Sequence, residues 1–472
     1  MWMAIIVAIF YILGVLSSIN AVMTARTSQG AIAWVVSLIT FPFIAVPAYW
    51  IFGNSRFNGY VKARHSSHTK VQNGLSKTLE GLEPYHIGDS EISPAGAATE
   101  KLADLPLLQR NSVQLLIDGK ATFDSILEGI DSATSYILFQ FYIVHDDKIG
   151  REIKERLITK SKGGVKIYFL YDEIGSFDLS DSYKDDLQKA GVEVNSFHTQ
   201  KGPGNRFQLN FRNHRKIVVV DGKTAWIGGL NVGDEYLGRD PKVGNWRDTH
   251  MKITGPATIA VQVSFVEDWH WTTEMLVPGI TWTPTPSSEG NTNVLIIPSG
   301  PADELETATL MFLHTINSAK ERIWIATPYF VPDDAILAAL QLAGLRGVDV
   351  RILIPDKADN LLVNLSFYTY LDDASRTGVR FFRYTDGFLH EKVMLIDHTA
   401  ATVGTANFDN RSFRLNFEIT GLVSGPAFAE EIEAMFKDDF ARAREMTKSD
   451  IDEQSFWFKL ITRLARLTSP VQ

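Results

Sequence analysis

Two short segments of this sequence carry the same residue types at the same spacing. His214, Lys216 and Asp221 stand in Asn213-His-Arg-Lys-Ile-Val-Val-Val-Asp-Gly222, and His390, Lys392 and Asp397 in Leu389-His-Glu-Lys-Val-Met-Leu-Ile-Asp397. The segments that follow repeat too: Gly228-Gly229-Leu230-Asn231 and Gly404-Thr405-Ala406-Asn407, each asparagine 17 residues after its histidine. An imidazole titrates near neutral pH and can act as a nucleophile or as an acid and base. A lysine ammonium can neutralise an anion as a point charge. Two of each suit transfer chemistry at an anionic centre, with one imidazole attacking and the other moving protons.

The elements that must position these groups can be read from the same residues. Ile217 to Val220 is β-branched and apolar, the pattern of a buried strand. His214 and Lys216 are two apart at its head and point to one face. Asp221 lies seven positions after His214, an odd number, and should point the other way if the strand stays regular. The same parity holds for Asp397, so a structural job is expected for both aspartates.

The doubled motif and its Gly-x-x-Asn tail resemble the phospholipase D superfamily. With two hydrophobic stretches ahead of them, the nearest resemblance is to the bacterial cardiolipin synthases, and it extends over nearly the whole chain. The resemblance implies a catalytic set of His214, Lys216, Asp221, His390, Lys392 and Asp397. A phosphodiester is anionic, so attack on phosphorus needs its charge neutralised and its leaving alkoxide protonated. The two lysines could do the first where other enzymes use metal ions, and no metal or other cofactor is expected. Asn231 and Asn407 offer amide donors to the phosphate. Glu418, 28 residues after His390, stands where the resemblance implies a carboxylate that orients an imidazole, and alignment of the two halves pairs it with Asp248. The first copy departs from the second at Gly229, where Thr405 supplies a hydroxyl. The resemblance favours His214 as nucleophile and implies transfer of a phosphatidyl group from one phosphatidylglycerol to another, releasing glycerol. Hydrolysis by water, a nuclease of the same superfamily and a non-enzymatic membrane scaffold are the alternatives.

The 472 residues carry 46 basic and 55 acidic side chains, a net charge of −9, which argues against a nucleic-acid partner. There is no cysteine, so neither disulfides nor cysteine metal sites are available. Lys201, Arg206 and Arg212 lie on a Gly- and Pro-bearing loop that leads into His214, either a solvated surface loop or a rim that gathers anionic headgroups.

Residues 2–25 and 27–55 are uncharged, and each is long enough to cross a bilayer. Spans over about 3–23 and 31–52 are expected as a two-helix transmembrane hairpin, with Pro42 and Pro47 kinking the second. A cleaved signal peptide is the competing reading of the first, but no Lys or Arg precedes it and a second stretch follows at once. Arg26 alone lies between them, whereas Arg56, Lys62, Arg64, Lys70 and Lys77 follow, which places the catalytic part on the cytoplasmic side. The expectation is a multi-pass protein of the bacterial inner membrane meeting phosphatidylglycerol and other anionic lipid.

Beyond a basic segment and linker (56–105), strand and helix patterns alternate and recur, the mark of an α/β fold. The expected architecture is a pair of duplicated phospholipase D-like domains, 106–277 and 292–450, related by a pseudo-twofold axis, with a mixed sheet flanked by helices. A Pro- and Ser-rich connection (278–291) joins them, and an amphipathic C-terminal helix lies in 451–472. In that helix Phe456, Leu460, Leu464 and Leu467 share one face, beside Lys459, Arg463 and Arg466. It could lie on a bilayer or pack on the core.

Overall fold

The computed structural model describes residues 2–25, 27–53, 60, 80–88, 94–198, 210–447 and 449–472. The first apolar stretch is one helix, Trp2–Thr24, whose 23 residues are long and apolar enough to cross a membrane. The second stretch is not one helix. It forms two helices, Ser28–Thr40 and Pro42–Phe52, each shorter than the roughly 20 residues a bilayer requires. The break falls where Pro42 lacks an N–H and disfavours helical backbone in the residue before it; Phe41 adopts φ −130° and ψ 56°. Tyr49 donates to Asn20 Oδ1 at 2.6 Å, tying the last of these helices to the first.

The stretch expected as a linker holds structure where it is described: a 3-10 turn, Glu83–Tyr85, and a helix, Pro94–Ala103. Tyr60 donates to Asp268 at 3.0 Å and packs on Phe417, so even this segment is anchored in the core. Arg26 and the basic residues Arg56, Lys62, Arg64, Lys70 and Lys77 lie outside the described residues.

The alternating apolar runs become one mixed sheet of 16 strands among the described residues, 15 in one continuous order and Arg212–Asn213 pairing off it on Asn416–Ser424. From its first edge inward run Glu193–Phe197, Lys166–Asp172, Tyr136–Phe141, Ile217–Val220, Thr224–Gly228, Thr249–Thr254 and Leu108–Ile117. From the other edge run Ala443–Glu445, Arg380–Tyr384, Asp349–Pro355, Arg322–Ala326, Val393–Ile396, Ala400–Gly404, Asn416–Ser424 and Thr292–Ser299. The two series meet where Leu108–Ile117 pairs antiparallel with Thr292–Ser299. In each series the strands before the motif are parallel (Tyr136–Phe141 with Lys166–Asp172, Arg322–Ala326 with Asp349–Pro355), and the motif strand pairs antiparallel with the innermost of them.

Both motif strands, Ile217–Val220 and Val393–Ile396, are buried at every residue, as strands covered on two faces must be. One hydrophobic core runs through residues of both series, among them Met251, Phe265, Ile296, Ile325, Leu395 and Ile419. Its helix Ala257–Thr273 is apolar almost all round and carries one buried acid in its interior, Asp268. A separate core, with Phe123, Ile153, Phe169 and Trp226, covers the other face of the first series.

Asp221 and Asp397 sit at the far ends of the motif strands from the histidines. The strands end at Val220 and Ile396, and both aspartates turn into left-handed backbone, φ 53° and 49°. The parity expectation assumed a regular strand through Asp221; the turn removes that premise and sends the side chain to the neighbouring chain start instead. The Asp221 carboxylate accepts from Thr134 N, Thr134 Oγ1, Ser135 N and Tyr136 N at 2.7–2.8 Å. Asp397 accepts from Lys320, Glu321 and Arg322 N. These bonds hold the Asp221 carboxyl below its usual range against the opposing effect of burial.

Asp221→Asn places an amide NH₂ among donors that need an acceptor. It should lower stability by about 2–3 kcal/mol, the usual worth of bonds to a charged group, while turnover per folded molecule stays within about threefold, since the site lies at the other strand end. Denaturant midpoints and active-site-normalised turnover check this; a well-folded variant without turnover would overturn it.

Candidate active site

The two histidines are fixed by a crossed exchange between the halves of the sheet. Arg212–Asn213, just before His214, pairs in parallel with Asn416–Phe417, and His214 N donates to Phe417 O at 2.9 Å. Phe388–Leu389, just before His390, pairs in parallel with Trp246–Arg247, and His390 N donates to Arg247 O at 2.8 Å. Each histidine therefore lies alongside the residue preceding the other half's carboxylate. The side chains complete the exchange. His214 Nδ1 lies 2.9 Å from Glu418 Oε2, and His390 Nδ1 lies 2.8 Å from Asp248 Oδ2. A carboxylate beside Nδ1 holds the proton on that nitrogen, so Nε2 is the nitrogen left to act.

The lysines stand beside their histidines: Lys216 Nζ donates to His214 O at 2.7 Å, and Lys392 Nζ donates to His390 O. The Tyr142 ring meets His214 edge-on at 5.0 Å and lies 5.4 Å from the Lys216 ammonium; the Trp246 ring packs 5.1 Å from His390.

Burial dominates the electrostatics. It depresses His214 to about 4, further pressed by Lys216 and Lys392 and opposed by Glu418. It depresses His390 to about 3, with Lys392 and Lys216 pressing the same way against Asp248. Each imidazole thus feels the lysines of both halves. Burial also lowers Lys392 to about 8 and Lys216 well below the usual lysine range. The two carboxylates go the other way. Burial raises them, but Lys392 and His390 more than offset this for Asp248, and His214 and Lys216 do so for Glu418. At neutral pH the site holds two neutral imidazoles, two ionised carboxylates and an ammonium at Lys392.

Two buried arginines brace the orienting carboxylates from behind. Arg215 Nε donates to the Glu418 carbonyl at 3.0 Å and pairs with Asp268 at 2.9 Å, which also receives Gln140 and Asn213. Arg247 donates to the Asp248 carbonyl at 2.8 Å and pairs with Asp439 and Glu391 at 2.8 Å. Glu391 is pushed up to about 8, chiefly by burial.

None of Tyr142, Trp246, Arg215, Arg247, Glu391 and Asp268 was singled out from the sequence. Arg215 and Glu391 carried a signal, as charges at the middle of His-x-Lys, on the buried face opposite the histidine. Asp268 carried another, as an acid inside an apolar helix.

The remaining expected site residues divide. Asn231 donates to Tyr236 Oη and accepts from Ile143 N, each at 3.2 Å, which ties its loop to the chain after Tyr136–Phe141, and Asn407 donates to Asp409 at 3.2 Å. Thr405 Oγ1 accepts from Ile419 N at 2.9 Å, beside Glu418. Arg212 is half-buried, donates to the Phe211 carbonyl and lies near Tyr142 and Arg411. Arg206 and Lys201 lie outside the described residues. Asp221 and Asp397 are not brought to the histidines.

Gly229 now has a reason. A Cβ there would come 2.0 Å from Asp248 Oδ1, so the carboxylate occupies the space that the Thr405 side chain fills in the other copy. Gly229→Ser should displace Asp248 and lower kcat on the order of 10²-fold, the cost of roughly 1 Å of misplacement. Thr405→Gly should cost less than tenfold, roughly the loss of one neutral hydrogen bond. Equal effects, measured on folded protein, would remove the steric argument.

A family model described as "Cardiolipin synthase, PLD-like domain" matches residues 126–246 and 312–440, which carry both His-x-Lys motifs and Glu418, with Asp248 two residues past the first match. Cardiolipin synthase A of Pseudomonas putida (strain W619) is 46% identical over 473 residues, covering 99% of this chain and 98% of that protein. Cardiolipin synthase A of Pseudomonas fluorescens (strain SBW25) is 46% identical with the same coverage. Among solved structures, phosphatidylserine synthase of Haemophilus influenzae superposes with a TM-score of 0.60 at 14% identity, over 80% of this chain and all of that one, a likeness of fold. With both motifs, both orienting carboxylates and full-length similarity in hand, the chain belongs to the cardiolipin synthase family of phospholipase D-like proteins.

Proposed function

We propose that this chain is a membrane-bound phosphatidyltransferase that makes cardiolipin and glycerol from two phosphatidylglycerol molecules. The observation that carries the reading is the crossed exchange. Each histidine is held at Nδ1 by a buried carboxylate of the other half, which leaves two Nε2 atoms for one phosphodiester. His214 Nε2 attacks phosphorus of the donor lipid, and the P–O bond to glycerol breaks as His390 supplies the proton. The headgroup hydroxyl of the acceptor then gives its proton back to His390 and attacks the phosphohistidine, releasing His214. Lys216 and Lys392 neutralise the charge of the non-bridging oxygens, and the bound anion favours their charged forms against the burial that disfavours them. The anion also raises His390 from about 3 toward the range in which it can act as an acid.

The same reading takes 106–277 and 292–450 as a duplicated pair of phospholipase D-like domains about a pseudo-twofold axis, joined through 278–291. Its support is the shared strand order of the two series and the doubled family match. It takes the apolar N-terminal segment as a two-span hairpin in the bacterial inner membrane with the catalytic part cytoplasmic. Trp2–Thr24 supports the first span, and the Asn20–Tyr49 bond supports a return through the broken second. A bilayer site meets acceptor lipid at high effective concentration and can exclude water.

Incubation of the enzyme in vesicles with labelled phosphatidylglycerol tests the reaction. Labelled cardiolipin and glycerol are expected in equal amounts, unchanged within about twofold by EDTA because the lysines supply the charge of a cation. Phosphatidic acid as the main product would make the enzyme a hydrolase. Activity lost to EDTA and restored by one divalent ion would overturn the metal-free mechanism.

A further inference from the structure

The helix Phe456–Arg466 packs on the protein with the wrong face for a core helix. Ser455 caps it by accepting from Phe458 N at 3.2 Å, and it docks on the helix Leu361–Ser375. The contact face consists of Phe458 against Tyr368, the buried Thr462 and Ala465, and Arg466, which pairs with Asp373 at 2.8 Å. The large apolar side chains point away. Phe456 is 73% exposed, Trp457 69%, Leu464 54% and Leu467 75%, with Leu460 and Ile461 exposed beside them. At 100° per residue these six fall within one arc of about 140°, the docking residues lie opposite, and Lys459 and Arg463 border the arc on one side. Leu361 and Leu362, on the first turn of the supporting helix, are exposed as well.

Each such side chain left in water forfeits the gain of burying it. A helix that docks through Phe458, Thr462, Ala465 and Arg466, and leaves two aromatic rings and four aliphatic chains outward, is built for a second apolar phase. We infer that this face is a bilayer-contacting surface of the catalytic part, seated among acyl chains with Lys459 and Arg463 at anionic headgroups. The inference rests on the lipid-acting function only for its choice of partner. Charge complementarity favours that partner: the helix carries no acid and its arc is flanked by Lys459 and Arg463, and the phosphatidylglycerol surface it would meet is anionic. Such a seat would fix the height of the catalytic part over the bilayer independently of the N-terminal helix.

The chain has no cysteine, so a single one can be placed and labelled cleanly. Leu460→Cys and Leu464→Cys would carry an environment-sensitive NBD label in the full-length protein, in vesicles of phosphatidylethanolamine and phosphatidylglycerol. Lys120→Cys, at a side chain 85% exposed elsewhere on the surface, serves as control. Blue-shifted emission at 460 and 464, quenched at least threefold more than the control by brominated acyl chains, is the expected result. Solvent-like emission without quenching would overturn the inference. So would a blue shift that grows with protein density and ignores brominated lipid, because that marks a second protein copy.

The readout needs no turnover, so it stands apart from failure of the functional reading. Leu460→Glu with Leu464→Glu adds a functional arm. Transfer in vesicles should fall about tenfold while turnover of dispersed short-chain phosphatidylglycerol is kept. Unchanged transfer in vesicles would count against the surface.

Discussion

His214→Ala should release no nitrophenol above background in a single turnover with a p-nitrophenyl phosphatidyl ester, whereas His390→Ala should release it within about tenfold of the unaltered rate. Nitrophenolate leaves without a proton, so this donor removes the need for the acid and keeps the need for the nucleophile. With phosphatidylglycerol, whose leaving glycerol must be protonated, both variants should fall by at least the 10²- to 10⁴-fold typical of general acid catalysis. The reverse pattern with the nitrophenyl donor would exchange the two roles.

Burial holds His214 at about 4 and His390 at about 3, so both imidazoles are neutral at physiological pH and either could attack; the nitrophenyl donor is what separates their roles. The sign for stability follows. Both imidazoles have folded values below the unfolded value of about 6.5. The unfolded chain therefore binds more protons between about 6.5 and the folded values, and stability falls as pH drops through that window toward about 4 for His214 and about 3 for His390.

Much of this was legible in the residues. The spacing of His214 and Lys216, repeated at His390 and Lys392, is local, and a strand's alternation carries it into space unchanged. The helix Asp334–Leu345 is started by Asp333 accepting from Ile336 N, a cap visible in the sequence. What sequence could not convey is pairing across the sheet. Glu418 stands 28 residues after His390, and nothing in that number says it serves His214. That follows from the two-residue ladder of Arg212–Asn213 with Asn416–Phe417, set by how the halves abut. Gly229 read as a missing hydroxyl; only the position of Asp248 makes it a space. The second apolar stretch reads as one kinked helix because its composition is uniform, whereas the local geometry at Phe41–Pro42 breaks it into two helices.

The crossed exchange has its own kinetic signature. Glu418 lies in the half that contains His390, yet Glu418→Gln should behave like a His214 variant. It should lower formation of the covalent intermediate on the order of 10³- to 10⁴-fold, the scale seen when a carboxylate orienting a catalytic imidazole is replaced by its amide. That loss should persist with the nitrophenyl donor. Asp248→Asn lies in the half that contains His214, yet it should behave like a His390 variant, with transfer from phosphatidylglycerol falling steeply and nitrophenol release largely spared. Groups that act as a unit are not additive, so His214→Ala with Glu418→Gln should be no slower than His214→Ala alone, while Glu418→Gln with Asp248→Asn should be slower than either. If each carboxylate instead served the histidine of its own half, the two phenotypes would trade places. Rates for the four single and two double variants with both donors distinguish these outcomes, because the pairing of Nδ1 with Glu418 and of Nδ1 with Asp248 makes opposite claims on each variant.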